Sequence, residues 1–338
     1  VKMSFWKRSK RVGIILITTS LIVFTMGTVI QAAQQEVPKP EGYPKRSIEY
    51  VVGWGAGGGS DTFARIICIP VRRKLKVSLV VVNMPGAASA IATNYVMRQP
   101  ADGYTLFGIT NEICMNPLLG RTKYIPHKDL TPIIRAHVDV SSIMFGKRSP
   151  VKTWQELVDY AKKNPGALSV GGTGAASFDE LAAAVIWDSA GIKVEYIPFD
   201  SAGEMHAALL GGHIDAMYEE PGVVMSMVEE GSVWPVLMLT EKRVARFSNV
   251  PCAGELGYEV PPKLWRGIAV KGGTPMDIVK YLEYVFTEAM KTDVYQSFEE
   301  RRMLNLYPGY LGSEDFKKAW EREYKLYEKM MKKLGYIK

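Results

Sequence analysis

Short apolar runs bounded by turn residues alternate with segments of helical period along most of this chain, and that alternation restricts the fold more than any other feature. Strand candidates fall at 48–53, 79–83, 105–109, 142–145, 168–171, 194–198, 216–218, 236–239 and 267–270. Each is short, apolar and flanked by glycine, proline or asparagine-type punctuation. The helical stretches between them serve as crossover connections, so the pattern predicts parallel sheets covered by helices on both faces.

Several helices announce their own starts. Thr153 stands three residues before Glu156, the spacing of a capping box, and Pro165-Gly166 ends that helix. Thr274-Pro275 places a capping hydroxyl before a proline at the first helical position, with Asp277 in the first turn. Ser313 opens a final helix in which Phe316, Trp320, Tyr327, Met331 and Leu334 share one face, a core stripe, before Gly335 stops it.

Residues 1–33 are excluded from the fold. Lys2, Lys7, Arg8, Lys10 and Arg11 precede an apolar run to Ile30 and the small residues Ala32 and Ala33, which reads as a secretory signal peptide cleaved near Ala32 or Ala33. A single transmembrane anchor is the competing reading, and no cysteine follows the run to carry a lipid. Five cations of the net +7 lie in this leader, so 7 less 5 leaves +2 for the rest. A nucleic-acid partner, which needs a basic stripe, is therefore not expected.

The remaining residues, 338 less 33, exceed the usual single core. Two lobes are expected, 44–140 with 260–338 and 141–259. Cys68, Cys114 and Cys252 are too few and too scattered for a disulfide framework or a metal site and read as buried thiols. His127, His137, His206 and His213 lack ligand spacing, and surface or turn positions are expected for them; no metal and no cofactor are called for.

Two glycine-rich loops carry what chemistry there is. Residues 53–61, Gly-Trp-Gly-Ala-Gly-Gly-Gly-Ser-Asp, run from a strand into a helix, and residues 171–177, Gly-Gly-Thr-Gly-Ala-Ala-Ser, repeat the arrangement. Glycine lets the backbone approach a ligand closely, and a helix amino terminus offers unpaired N–H donors at the positive end of its dipole. Two such ends, one per lobe, suit the carboxylates of a small acid. Ser60 and Asp61 are the expected capping residues of the first helix.

Residues 48–52 through Ala56-Gly57-Gly58-Gly59-Ser60-Asp61 resemble the opening of the substrate-binding proteins of tripartite tricarboxylate transporters, the Bug receptors. The resemblance continues in order through Val82-Asn83-Met84-Pro85-Gly86-Ala87, Pro100-Ala101-Asp102-Gly103-Tyr104-Thr105-Leu106, Asn116-Pro117, Tyr196-Ile197-Pro198-Phe199, Leu210-Gly211-Gly212-His213-Ile214-Asp215-Ala216 and Glu255-Leu256-Gly257. It implies a two-lobe periplasmic-binding-protein (Venus-flytrap) fold, each lobe a mainly parallel α/β sheet flanked by helices. It also implies a monomeric periplasmic receptor, not an enzyme, that passes a di- or tricarboxylate, amino acid or aromatic carboxylate to a two-subunit integral membrane transporter. By matching position the ligand would meet Gly55, Ala56, Gly57, Gly58 and Asp61 in one lobe and Thr173, Gly174, Ala175, Ala176 and Ser177 in the other.

Departures from the family pattern bear on the ligand. Trp54 replaces a smaller residue and offers a ring for stacking; Phe199 and Asp200 stand where the family has Tyr and a variable residue; Phe178-Asp179-Glu180 stands where a histidine is common. Glu219, after the 216–218 strand, is placed to select an ammonium group or else to be a solvated loop carboxylate. Two other functions are weighed. The same clamp suits a secreted sensor feeding a signalling partner. Gly53-x-Gly55-x-x-Gly58 also satisfies an NAD-dependent dehydrogenase pattern, against which the second strand ends in Asn83 instead of an acid for the ribose.

Overall fold

Eleven strands pair into two sheets in the computed structural model, which describes residues 37–338; the expected signal peptide lies outside them. In chain order the strands are β1 (Ile48–Val52), β2 (Leu79–Asn83), β3 (Thr105–Ile109), β4 (Leu130–Val138), β5 (Ser142–Gly146) and β6 (Ser169–Thr173). There follow β7 (Glu195–Phe199), β8 (Ala216–Glu219), β9 (Val233–Met238), β10 (Trp265–Lys271) and β11 (Leu311–Gly312). The first sheet has the order β11-β4-β10-β3-β1-β2 and the second β7-β6-β8-β5-β9.

The sheets are mixed, not mainly parallel. β1 runs parallel to β2 and β3, and β6 parallel to β7 and β8, but β10 is antiparallel to β3 and β4, and β5 to β8 and β9. The cause is the way the chain changes sheet. Only residues 139–141 separate β4 in the first sheet from β5 in the second, and the chain returns between β9 and β10. The strand that follows each crossing, β5 in the second sheet and β10 in the first, therefore runs against the other long strands of its sheet. The two crossings are stitched together, Asp139 N donating to Leu264 O at 2.7 Å and Leu239 N to Ser141 O at 2.9 Å.

β4 has no counterpart among the strand candidates. Pro132, Arg135 and His137 interrupt its apolar run, yet it is buried from Ile133 onward except at Arg135. Pro132 cannot donate to the ladder and sits opposite Ala269, beside a register shift between Ile268 and Ala269 that accommodates it. His137 corrects the surface expectation: it is 1% exposed, with Nδ1 2.9 Å from the Tyr295 hydroxyl and its ring edge-on to Phe63. The three cysteines are free and buried.

The helix starts follow their signals in part: Thr153 caps, whereas Ser60 and Asp61 lie inside the first helix, whose N-cap is Gly58. Glu156 N donates to Thr153 Oγ1 at 3.2 Å, and the Glu156 carboxylate takes the Lys152 amide at 2.7 Å, one residue before the cap. Thr274 does not cap. Its hydroxyl donates to Lys271 O at 2.8 Å, closing the turn after β10, and the helix Met276–Met290 begins after Pro275. The last helix, Ser313–Lys333, is pinned to β4 by the Ser313 hydroxyl donating to Pro132 O at 2.6 Å.

That helix seals one face of the first sheet. Phe316 is fully buried, edge-on to Trp265 of β10 at 5.0 Å and tilted against Trp320 at 4.9 Å. Truncating a ring with partners on both sides leaves a cavity that the rigid indoles cannot fill. Phe316→Ala is expected to lower the unfolding free energy by about 3–5 kcal/mol, read by urea titration of tryptophan fluorescence.

Candidate functional site

β1 delivers the first glycine loop to the start of the helix Gly59–Leu75, and three polar side chains hold it in shape. Asp61 accepts from the Gly57 amide at 3.0 Å and from Arg65, while the Asn83 amide group donates to Trp54 O at 2.9 Å and to Asp61 Oδ1 at 3.0 Å. Burial works against the Asp61 charge, but the bonds from Arg65, Gly57 and Asn83 prevail and hold its carboxyl below the usual range. Asp61 is 4% exposed and spends its acceptors on the loop. The helix itself is uncapped: no side chain serves Gly58, and the amides of Gly59, Ser60 and Asp61 donate to no described residue.

The second loop has the same sequence grammar and the opposite outcome. β6 leads into the helix Phe178–Ala190, and the chain's own acids fill the loop amides. Asp179 Oδ2 accepts from the Thr173 amide at 2.9 Å and hydroxyl at 2.6 Å, Glu180 from the Ala176 amide at 2.6 Å, and Glu112 from the Phe178 amide at 3.2 Å. Ser177 caps Glu180 N, Gly174 N donates to Phe199 O, and Arg121 donates to the carbonyls of Ala175 and Ala176.

The loops meet over a narrow cleft whose empty space, open solvent included, is about 500 Å³. The uncapped Gly59 helix borders it from one sheet, and Thr173, Asp179 and the start of the helix Ala202–Gly211 border it from the other. Contact across it is close. A Cβ on Gly55 would lie 2.5 Å from Ser201 Cβ, and one on Gly174 would lie 3.3 Å from Ala88 Cβ and 3.5 Å from the Trp54 ring. The Trp54 indole N–H donates to the Thr110 hydroxyl at 3.3 Å.

The floor is charged. Arg266 on β10 is 5% exposed and bonds Asp139 through Nη1 and Glu220 through Nη2, the latter at 2.9 Å. Burial lowers the affinity of this guanidinium for its proton, but Asp139 and Glu220 outweigh burial and raise it. Burial pushes the Glu220 carboxyl well up, against the pull of Arg266. Glu219, read as a possible solvated carboxylate, is 5% exposed and 2.5 Å from His206 Nε2, so neither residue is at the surface. Burial raises Glu112, and burial followed by the Glu112 charge pushes Asp179 up to about 7.

Of the residues singled out from the sequence, Trp54, Gly55, Gly58, Thr173 and Glu219 line the cleft. Ala56 and Gly57 are exposed beside it, Asp61 and Ser177 are buried supports, Gly174 is half-buried opposite Ala88 and Trp54, and Ala175 and Ala176 give their carbonyls to Arg121. Phe199 is half-buried against the small core of Met205 and Met217. Sequence reasoning overlooked Glu112, Asp179 and Arg266 as lining residues. Thr110-x-Glu112 directly after β3 was a usable signal, since the carboxyl end of a parallel strand points at such clefts; Arg266 offered none.

Asp179 gives the fold a pH signature. Between the ordinary 3.8 and about 7 the folded protein keeps a proton that the unfolded chain has released, so stability drains away as pH rises through that window. Asp179→Asn keeps an acceptor for Thr173 and removes this cost. Its melting temperature is expected to exceed that of the unsubstituted protein by several degrees above pH 7, with the gap closing toward pH 4, in paired thermal melts.

Comparison with known proteins agrees with this architecture. The model of the TctC family, the tripartite tricarboxylate transporter family receptor, matches residues 63–336. The chain is 30% identical over 328 residues to the UPF0065 protein in gbd 5'region of Cupriavidus necator, covering 97% of each. Among solved structures, R. palustris Rpa4515 with adipate is 27% identical with a TM-score of 0.80, covering 87% of this chain and 98% of that one. A TctC solute binding protein from Polaromonas without ligand is 30% identical with a TM-score of 0.62, covering 86% and 99%. Two mixed sheets, a cleft between their glycine loops and these matches lead to one conclusion: the chain belongs to the tripartite tricarboxylate transporter receptor family.

Proposed function

We propose that this protein captures a small carboxylate in the cleft, outside the cytoplasm, and delivers it to a two-subunit membrane transporter without chemical change. Residues 44–140 with 260–338 act as one lobe and 141–259 as the other, closing on the ligand. The observation that carries the reading is the uncapped start of the Gly59 helix on the cleft. Its open amides and dipole stabilise a carboxylate, with the Arg266 guanidinium alongside. Ser60 adds a hydroxyl that accepts from Arg266 Nε at 3.4 Å and keeps its proton to donate.

Membership of the receptor family supports capture for transport, and the adipate held by the R. palustris relative supports a carboxylate as the ligand class. A binding protein of this kind works by population shift, because a ligand touching both lobes favours the closed state over the open one.

Ligand bound by the folded state alone raises its apparent stability, by about 2.7 kcal/mol at a hundredfold excess over Kd. A panel of carboxylates in a thermal-shift assay is expected to contain members that raise the melting temperature, and a flat response across the panel would remove the reading. Gly55→Ala carries a methyl group into Ser201 and is expected to prop the lobes apart, weakening ligand binding by about tenfold or more in calorimetric titration. An unchanged Kd in that variant would place the ligand elsewhere.

A further inference from the structure

We infer that the ligand of this cleft carries a cationic nitrogen at the end opposite its carboxylate, with Asp179 as the acceptor and Glu219 as the supporting charge. The inference rests on the receptor reading above and narrows its substrate class from carboxylates in general to aminocarboxylates with one acid group.

The cleft lining holds four carboxylates, Glu112, Asp179, Glu219 and Glu220, against a single guanidinium, Arg266. Arg266 is committed to Asp139 and Glu220. Arg302 offsets part of the charge on Asp139, Glu219 and Glu220 from outside the cleft lining and makes no hydrogen bond to Asp179. A ligand with a second carboxylate at this end would meet acids with no uncommitted Arg or Lys among the described lining residues.

The hydrogen bonds single out one acceptor. Glu112 is satisfied by the Thr110 hydroxyl and the Phe178 amide, and Glu219 by His206 and the Glu220 amide. Asp179 uses only Oδ2. Its Oδ1 takes no hydrogen bond from any described residue, although the side chain borders the cleft and the residue is only 7% exposed. That oxygen opens on the cleft and is the acceptor left free for a donor on the cleft's occupant. A primary ammonium supplies both the donors and the charge that this end lacks. The opposite end keeps the open amides of the Gly59 helix for the ligand's single carboxylate.

Matched pairs of equal length test this by calorimetric titration: 4-aminobutanoate against succinate, 5-aminopentanoate against glutarate, and 6-aminohexanoate against adipate. The amino member of the best-binding pair is expected to bind about tenfold or more tightly than its diacid. Asp179→Asn and Glu219→Gln are each expected to shrink that ratio by about tenfold, mainly by weakening the amino member. Thermal melts confirm the fold of each variant, and either variant suffices if the other fails to fold. A tighter diacid in every pair, or equal weakening of both members by the variants, overturns the inference and leaves the carboxylate receptor standing. No binding by either series overturns both.

Discussion

Arg266 lies between Asp139 and Glu220 in the dry interior, and the rest of the cleft is organised around that triad. Its members come from the crossing after β4, the end of β8 and the body of β10, so the ion pairs tie both sheets to the segment where the chain changes between them. Burying three charges costs desolvation, and removing any one would strand its partners at a penalty of about 3–5 kcal/mol. The guanidinium also dictates the residue above it. A Cβ on Gly59 would fall 2.0 Å from Nη2, so glycine is required where the first helix begins.

From that constraint follows an asymmetry between two loops that read alike. The first keeps its helix amides open because Asp61 turns back to the loop and Asn83, at the end of β2, anchors both. The second is filled from within by Asp179, Glu180 and Glu112. One lobe thus presents donors to the cleft and the other presents acceptors. Symmetry of sequence pattern did not become symmetry of electrostatics, because the decisive groups are side chains that arrive from elsewhere in the chain or from one turn further along the helix.

Much of the fold could be read locally. The strands flanking both glycine loops stand where branched apolar runs meet turn residues, and the Thr153 cap forms as its spacing implies. β4 escaped because Pro132 and two polar residues break its pattern; it is a strand because β10 lies along it and the register yields at the proline. Thr274 escaped for a similar reason: its hydroxyl had a competing acceptor at Lys271 O that only the turn after β10 provides. Trp54, Gly55, Gly58, Thr173 and Glu219 border the cleft, within reach of motif reasoning, while Arg266 stands 206 residues from the Ser60 it contacts.

By itself the sequence determined the alternation of strand and helix, the two glycine loops and the family they belong to, because each is written in a few neighbouring residues whose backbone preferences are local. The tertiary structure alone decided which amides stay open, which acids face the cleft and where the single guanidinium is spent. Those outcomes depend on groups brought together across crossings between sheets, and desolvation, not spacing along the chain, sets the charge that a ligand will find there.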